Sequence, residues 1–187
     1  MLLVGLGNPG PEYALNRHNI GFQVIDSIAH HYSFNSFKRH GQGLFSERLI
    51  QGEKISLLKP VTYMNRSGIA VAEFASFFKI PLEDIVVIHD ELDLELGRLK
   101  VKQGGGHGGH NGLKSLDAHV GKDYWRLRIG IGHPGCREAV TSHVLGNFSK
   151  NEEGHREKII NAILNNLSFL LKKEMAAFMN NVALELQ

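Results

Sequence analysis

Asp84-Ile85-Val86-Val87-Ile88-His89-Asp90-Glu91-Leu92-Asp93 is the stretch that decides the fold. A continuous apolar run without alternation marks a strand covered on both faces, and such strands lie in sheets with helices packed on each side. The run ends in His89-Asp90-Glu91, so polar groups stand at the carboxyl end of a buried strand. Upstream, Met1 to Leu6 reads as a second buried strand, and Ile20, Val24, Ile25 and Ile28 form a helical stripe after it. Leu44 to Ile50 and Lys54 to Leu58 read as two strands joined by a turn at Gln51-Gly52-Glu53. Ser67 is placed to cap a helix carrying Val71, Phe74, Ala75 and Phe78. Downstream, Gly97 to Lys102 and Trp125 to Ile131 supply two more strands, with a helix from Leu113 to Val120 between them. The last third is helical, with Ile159, Ile160, Ile163, Leu164, Leu167, Leu170 and Leu171 along one side. Strands and helices interleave with no break in composition, which predicts one α/β domain over residues 1–187: a mixed, twisted sheet flanked by helices on both faces. Residues 151–187 are expected to pack on that domain, and 136–150 to form a mobile flap near the site.

Composition narrows the function. At 187 residues and 42% hydrophobic content, the chain is long enough for one well-buried core. No run of about 18 apolar residues is present, and Met1-Leu2-Leu3-Val4-Gly5 lacks the basic start of a signal peptide. A single cysteine, Cys136, excludes an internal disulfide and fits a reducing cytoplasm. The net charge of +2 hides a strong asymmetry. Residues 82–97 hold six acids and no Lys or Arg, whereas residues 98–137 hold eight Lys and Arg against Asp117 and Asp123. The second stretch nets +6 (eight minus two), as a polyanion-binding face would, although a solvated basic surface has the same composition.

Gly104-Gly105-Gly106-His107-Gly108-Gly109-His110-Asn111-Gly112 sits between a strand and a helix and sets two imidazoles and a carboxamide among six glycines. Glycine is costly to order, so a run this dense with proton-transfer groups reads as a functional loop. Val4-Gly5-Leu6-Gly7-Asn8-Pro9-Gly10 and Ile129-Gly130-Ile131-Gly132-His133-Pro134-Gly135 both match the outward form of a dinucleotide-binding turn. Pro9 and Pro11 force extended geometry where that turn opens a helix, so the first of these presents Asn8 instead of a phosphate cradle. Asn8, Asp90 and the glycine loop are expected to converge at the carboxyl edge of the sheet, near Arg17-His18-Asn19 and Tyr63-Met64-Asn65. Three chemistries remain open. A histidine with an adjacent carboxylate can activate water; His89, Asp90, His107 and His110 have the ligand types for zinc; Cys136 beside His133 has the types for a thiol nucleophile.

The chain resembles the bacterial peptidyl-tRNA hydrolase family. Gly5-Leu6-Gly7-Asn8-Pro9-Gly10, Arg17-His18-Asn19, Lys59-Pro60 with Met64-Asn65, His89-Asp90-Glu91-Leu92-Asp93, the 104–112 loop and Arg126-Leu127-Arg128 through Gly135 carry the likeness, in the family's order. The resemblance implies a cytoplasmic monomer with no cofactor, no metal and no obligate protein partner. It also implies hydrolysis of the ester joining a peptide to the 3′ end of tRNA, which recycles tRNA. By the same resemblance His18 is the catalytic base and Asp90 supports it, while Asn8 distinguishes a blocked from a free α-amine. Asn65, Asn111 and His110 bind substrate, Tyr13, Tyr63 and Met64 line the tRNA-end site, and Lys102 with Arg128 clamps a tRNA phosphate. Two other classes are a metal-dependent hydrolase of small esters or amides and a non-catalytic RNA-binding module, though the latter leaves the histidines and asparagines without a purpose.

Overall fold

The structure is a computed structural model that describes residues 1–187. In chain order the elements are β1 (Leu2–Gly5), α1 (Ile20–His31), β2 (Lys38–His40), β3 (Gly43–Ile50), β4 (Glu53–Pro60), α2 (Ser67–Phe77), β5 (Ile85–Glu91), β6 (Leu99–Gln103), α3 (Asn111–His119), β7 (Trp125–Gly130), α4 (Val140–Leu145), α5 (Lys150–Leu171) and α6 (Met175–Glu185). The strands form one sheet in the order β2-β3-β4-β1-β5-β7-β6. The four central strands β4, β1, β5 and β7 are parallel, and the outer pairings are antiparallel, so the sheet is mixed as expected.

Alternation along β5 shows why its apolar run is unbroken. Val86 and Ile88 enter the core that α1, α5 and α6 cover, whereas Ile85 and Val87 enter the core that α2 and α3 cover. β1 does the same, with Leu3 on the first side and Leu2 and Val4 on the second. Because β4, β1 and β5 are parallel neighbours, their carboxyl ends deliver Met64, Asn8 and Asp90 to one edge of the sheet.

The glycine loop reaches that edge by a longer route. β6 is antiparallel, so it ends at the opposite edge, where Gly104 N donates to Tyr124 O at 3.0 Å. The loop then climbs back over the α3 face of the sheet. Buried Arg126, paired with Asp117 at 3.0 Å, donates to Gly105 O and Gly106 O at 2.9 and 2.7 Å and pins the climb. Positive φ at Gly104, Gly105, Gly108 and Gly109 is what the return demands.

Two details differ from the sequence reading. Ser67 caps nothing: a 3-10 turn over Met64–Arg66 runs directly into α2, and the Ser67 hydroxyl donates back to Met64 O at 2.9 Å. Lys38–His40 forms an edge strand that its polar sequence conceals, in keeping with charged residues guarding sheet edges. The segment 136–150 holds the short helix α4, and the C-terminal helices are α5 and α6, separated at Lys172–Glu174, where Lys173 takes a positive φ.

Helix α1 starts hard against the sheet. A Cβ built on Gly21 lies 2.4 Å from both Ile88 O and Leu6 N, and one on Gly5 lies 2.3 Å from Gly21 O. Backbone cannot yield as a side chain does, so Gly21→Ala is expected to destabilise the fold by about 1–3 kcal/mol or more, the range for overpacking. It should also lower activity by displacing the turn just before α1. Urea unfolding checks this, and an unchanged midpoint contradicts the close seating.

Candidate active site

The turn that precedes α1 is a 3-10 helix over Arg17–Asn19, buried throughout. Seating α1 on the sheet drives His18 against the end of β5, where its Nδ1 lies 2.9 Å from each oxygen of Asp90. On the other side His110 Nε2 lies 3.0 Å from Asp90 Oδ1, and the two imidazole centroids are 4.8 Å apart.

Hydrogen-bond bookkeeping fixes the protons. An ionised carboxylate only accepts, so His18 donates from Nδ1 and, when neutral, keeps a lone pair on Nε2. His110 Nδ1 accepts from the backbone N–H groups of Gly112 and Leu113, capping α3. Its Nδ1 lone pair is thus committed, and neutral His110 carries its proton on Nε2 and donates it to Asp90. Zinc at this cluster, whose ligand atoms lie within 4.8 Å of one another, requires a lone pair at His110 Nε2 and hence an imidazolate. The donor set suits proton transfer and does not fit a metal. His89 is a separate case. It is fully buried, with Nδ1 donating to Asp90 O at 2.7 Å; burial, aided by neighbouring His110, pushes its pKa down to about 3, and it stays neutral.

Electrostatics follow from burial and pairing. Burial pulls the His18 pKa down, but the Asp90 charge and hydrogen bond outweigh it and raise it above the ordinary 6.5. Burial pushes Asp90 up, yet the two imidazoles hold it well below the usual carboxylate range. The His18 contribution to stability is therefore full below pH 6.5 and lost as pH rises through its raised value. The Asp90 contribution is present above its ordinary 3.8 and lost as pH falls through its depressed value.

Asn8 completes the arrangement. Its backbone is held at both ends by the Asn19 carboxamide, which accepts from Asn8 N and donates to Asn8 O, each at 2.9 Å. Asn8 Oδ1 accepts from Met64 N at 2.8 Å, which settles the orientation of the amide. The Nδ2 group makes no hydrogen bond within the protein, so Asn8 has both amide protons left to donate to a ligand, while its Oδ1 is already engaged by Met64 N.

These groups line a cleft of about 300 Å³. Asn8, His18, Met64, Asp90 and His110 form its floor; Tyr63, Asn65 and Asn111 are exposed along it. Lys102 and Arg128 line an adjacent cavity of about 250 Å³ that shares Glu91 and Gly108 with the cleft. Arg126 and Arg128 share that face, but Arg126 is consumed by the glycine loop, and Arg128 pairs with Glu91 at 2.9 Å. Tyr13 lines neither; it sits half-buried on the turn Pro11–Tyr13. Cys136 is exposed and lines neither. His107 and His133 each accept a backbone N–H two residues on. Sequence reading left two groups without a role: Asn19, whose place beside His18 was the only signal, and the apolar wall of Leu92, Val140, Val144 and Leu145.

The family model for peptidyl-tRNA hydrolase matches residues 2–187. The chain belongs to the peptidyl-tRNA hydrolase family. A peptidyl-tRNA hydrolase from Rhodospirillum centenum is 54% identical over 183 residues, 98% of this chain and 81% of its own length. One from Gluconobacter oxydans is 54% identical over 184 residues, covering 98% and 97%. The crystal structure of the peptidyl-tRNA hydrolase from Acinetobacter baumannii superposes with a TM-score of 0.92 at 44% identity, covering 97% of this chain and 93% of that one.

A base role for His18 requires its neutral form and predicts that kcat/KM rises with pH through a limb above 6.5. Asp90→Asn removes the charge that raises it, and the limb should move to lower pH while the rate falls. A pH–rate profile checks both, and an unmoved limb in Asp90→Asn contradicts the assignment.

Proposed function

We propose that this member of the peptidyl-tRNA hydrolase family cleaves the ester between a peptide and the 3′ ribose of tRNA with water activated by His18. The observation that carries the reading is the bidentate grip of Asp90 on His18 Nδ1, which leaves Nε2 as a base with its lone pair free. Nε2 takes a proton from water, and the water oxygen attacks the ester carbonyl carbon. Asp90 stabilises the imidazolium that forms. As the tetrahedral intermediate collapses, the C–O bond to the ribose breaks and His18 returns the proton to the departing 3′ oxygen. His110 steadies Asp90 and, with its Nδ1 committed, is not a substitute base.

Asn8 supports selection of the acyl group. Its Nδ2 donates to a carbonyl oxygen, which a peptide or N-blocked residue supplies, whereas a free α-ammonium is itself a donor and meets no counter-charge on this neutral amide. Tyr63, Asn65 and Asn111 along the cleft suit the tRNA end, with Met64 as an adaptable wall. Lys102, free of any ion pair, and Arg128 suit a neighbouring phosphate. A monomer acting alone on tRNA, a cytoplasmic place and the return of tRNA to translation go with that substrate. A non-catalytic RNA-binding role leaves the His18–Asp90–His110 chain idle, and a metal-dependent one conflicts with the proton on His110.

His18→Ala is expected to cost about 10²–10⁴-fold in kcat with little change in tRNA affinity. Turnover of N-acetyl-aminoacyl-tRNA checks it, and retention of more than about a tenth of the rate puts the base elsewhere. In Asn8→Ala the ratio of kcat/KM for N-acetylated over free aminoacyl-tRNA should fall; an unchanged ratio removes Asn8 from selection.

The double substitution Lys102→Ala with Arg128→Ala should raise KM for full-length substrate and reduce the salt slope of log K by about 0.7–0.9 per lost phosphate contact. A terminal adenosine ester, lacking distant phosphates, should be barely affected. Equal losses on both substrates contradict the phosphate role.

A further inference from the structure

The residue before His18 makes more long-range contacts than a turn residue needs. Arg17 N donates to Gly146 O at 2.9 Å. Its Nη1 donates to His143 O at 3.2 Å and its Nη2 to Glu152 Oε2 at 2.7 Å, while the guanidinium lies over the Phe148 ring at 5.4 Å. Asn16 adds a bridge to Asn147, its Nδ2 donating to Asn147 Oδ1 at 2.8 Å. Glu152 is itself fixed, because it accepts from Ser149 N at 2.7 Å in the capping box of α5. The segment from His143 to Phe148 is thus tied on one side to the turn that carries the base. On its other side α4 presents Val140, Val144 and Leu145 to the cleft.

We infer that Arg17 is a positioning residue that couples this apolar wall to His18, so that an acyl side chain packed on the wall sets the base for attack. Val140, Val144 and Leu145 line the cleft and not the phosphate cavity, and an apolar lining suits the side chain of the last amino acid of the peptide. A planar guanidinium holds two acceptors at once, and here they are the end of α4 and the start of α5. Any shift of the wall moves Arg17, and the next residue in the same 3-10 turn is His18. Displacement by about 1 Å is enough to cost about 10²-fold in rate. Binding energy gained by a remote group is then expressed in kcat instead of in KM alone.

The inference rests on His18 as the base and is tested beside it. Arg17→Gln, Arg17→Lys and His18→Ala are assayed on N-acetyl-leucyl-tRNA and N-acetyl-glycyl-tRNA. Wild type should show a higher kcat for the leucyl substrate. Arg17→Gln should lower kcat on that substrate by about tenfold or more with KM within about twofold, and bring the leucyl-to-glycyl kcat ratio toward one. Arg17→Lys, which keeps the charge but not the fork, should recover part of the ratio. A wild-type ratio of one, or a ratio unchanged in Arg17→Gln, overturns the coupling; so does a fall in thermal stability with kcat intact, which marks Arg17 as structural only. If Arg17→Gln does not fold, Glu152→Ala takes away the anchor while leaving Arg17, and it must lower the ratio in the same direction. A His18→Ala enzyme that keeps its rate fails the base assignment alone, whereas an inactive His18→Ala with an indifferent Arg17→Gln fails the coupling alone.

Discussion

The carboxylate of Asp90 is almost completely buried, with 2% of its side chain exposed, and both of its hydrogen-bond partners are imidazoles. A buried charge without partners costs several kcal/mol, so the surroundings of Asp90 must supply donors wherever the chain runs. That requirement links distant parts of the chain. His18 has to arrive from the turn before α1, and His110 from the far end of the glycine loop. Each donor commits one nitrogen to Asp90, and what remains on each ring decides its use. His18 is left with a free base; His110 has none, because its other nitrogen caps α3. Two histidines on one carboxylate therefore do different work, and the difference comes from backbone amides.

Topology serves this constraint. Parallel neighbours β4, β1 and β5 bring Met64, Asn8 and Asp90 to one edge, where β1 and β5 are joined further by Leu6 N donating to Ile88 O at 3.0 Å. Close seating of α1 through Gly5 and Gly21 adds His18. The glycine loop pays conformational entropy to cross the sheet face, and Arg126 offsets part of it with two carbonyl contacts and the Asp117 pair. The result is a floor with one free base and the Asn8 donor set around a buried carboxylate, beside a cavity whose cations are partly masked by Glu91.

Much of this was legible in the sequence because it depends on local pattern. The run Ile85 to Ile88 announced burial on both faces, and the His89-Asp90-Glu91 ending announced where the polar groups stand. Eight of the eleven site residues implied by the family resemblance meet in one cleft, and Lys102 and Arg128 meet beside it. Illegible were the features set by tertiary contact. Arg126 looks like one more cation of a basic strip, yet it is buried in structural bonds. Arg17 and Glu152 are far apart in sequence and carry no shared motif. Ser67 has the right residue type for a cap but follows a turn that already satisfies the backbone. Tyr13 is implied by the family resemblance alone, and it is not among the residues that line the cleft. The division of labour between His18 and His110 needs the Gly112 and Leu113 amides, and no spacing rule reveals it.

The central claim is a pattern of protons, and nitrogen-15 NMR of the imidazoles at a pH above the His18 titration reads that pattern directly. The account predicts neutral His18 with its proton on Nδ1 and neutral His110 with its proton on Nε2. His18 protonated on Nε2, or His110 protonated on Nδ1, would contradict it, because the free base would then be absent or lie on the other ring.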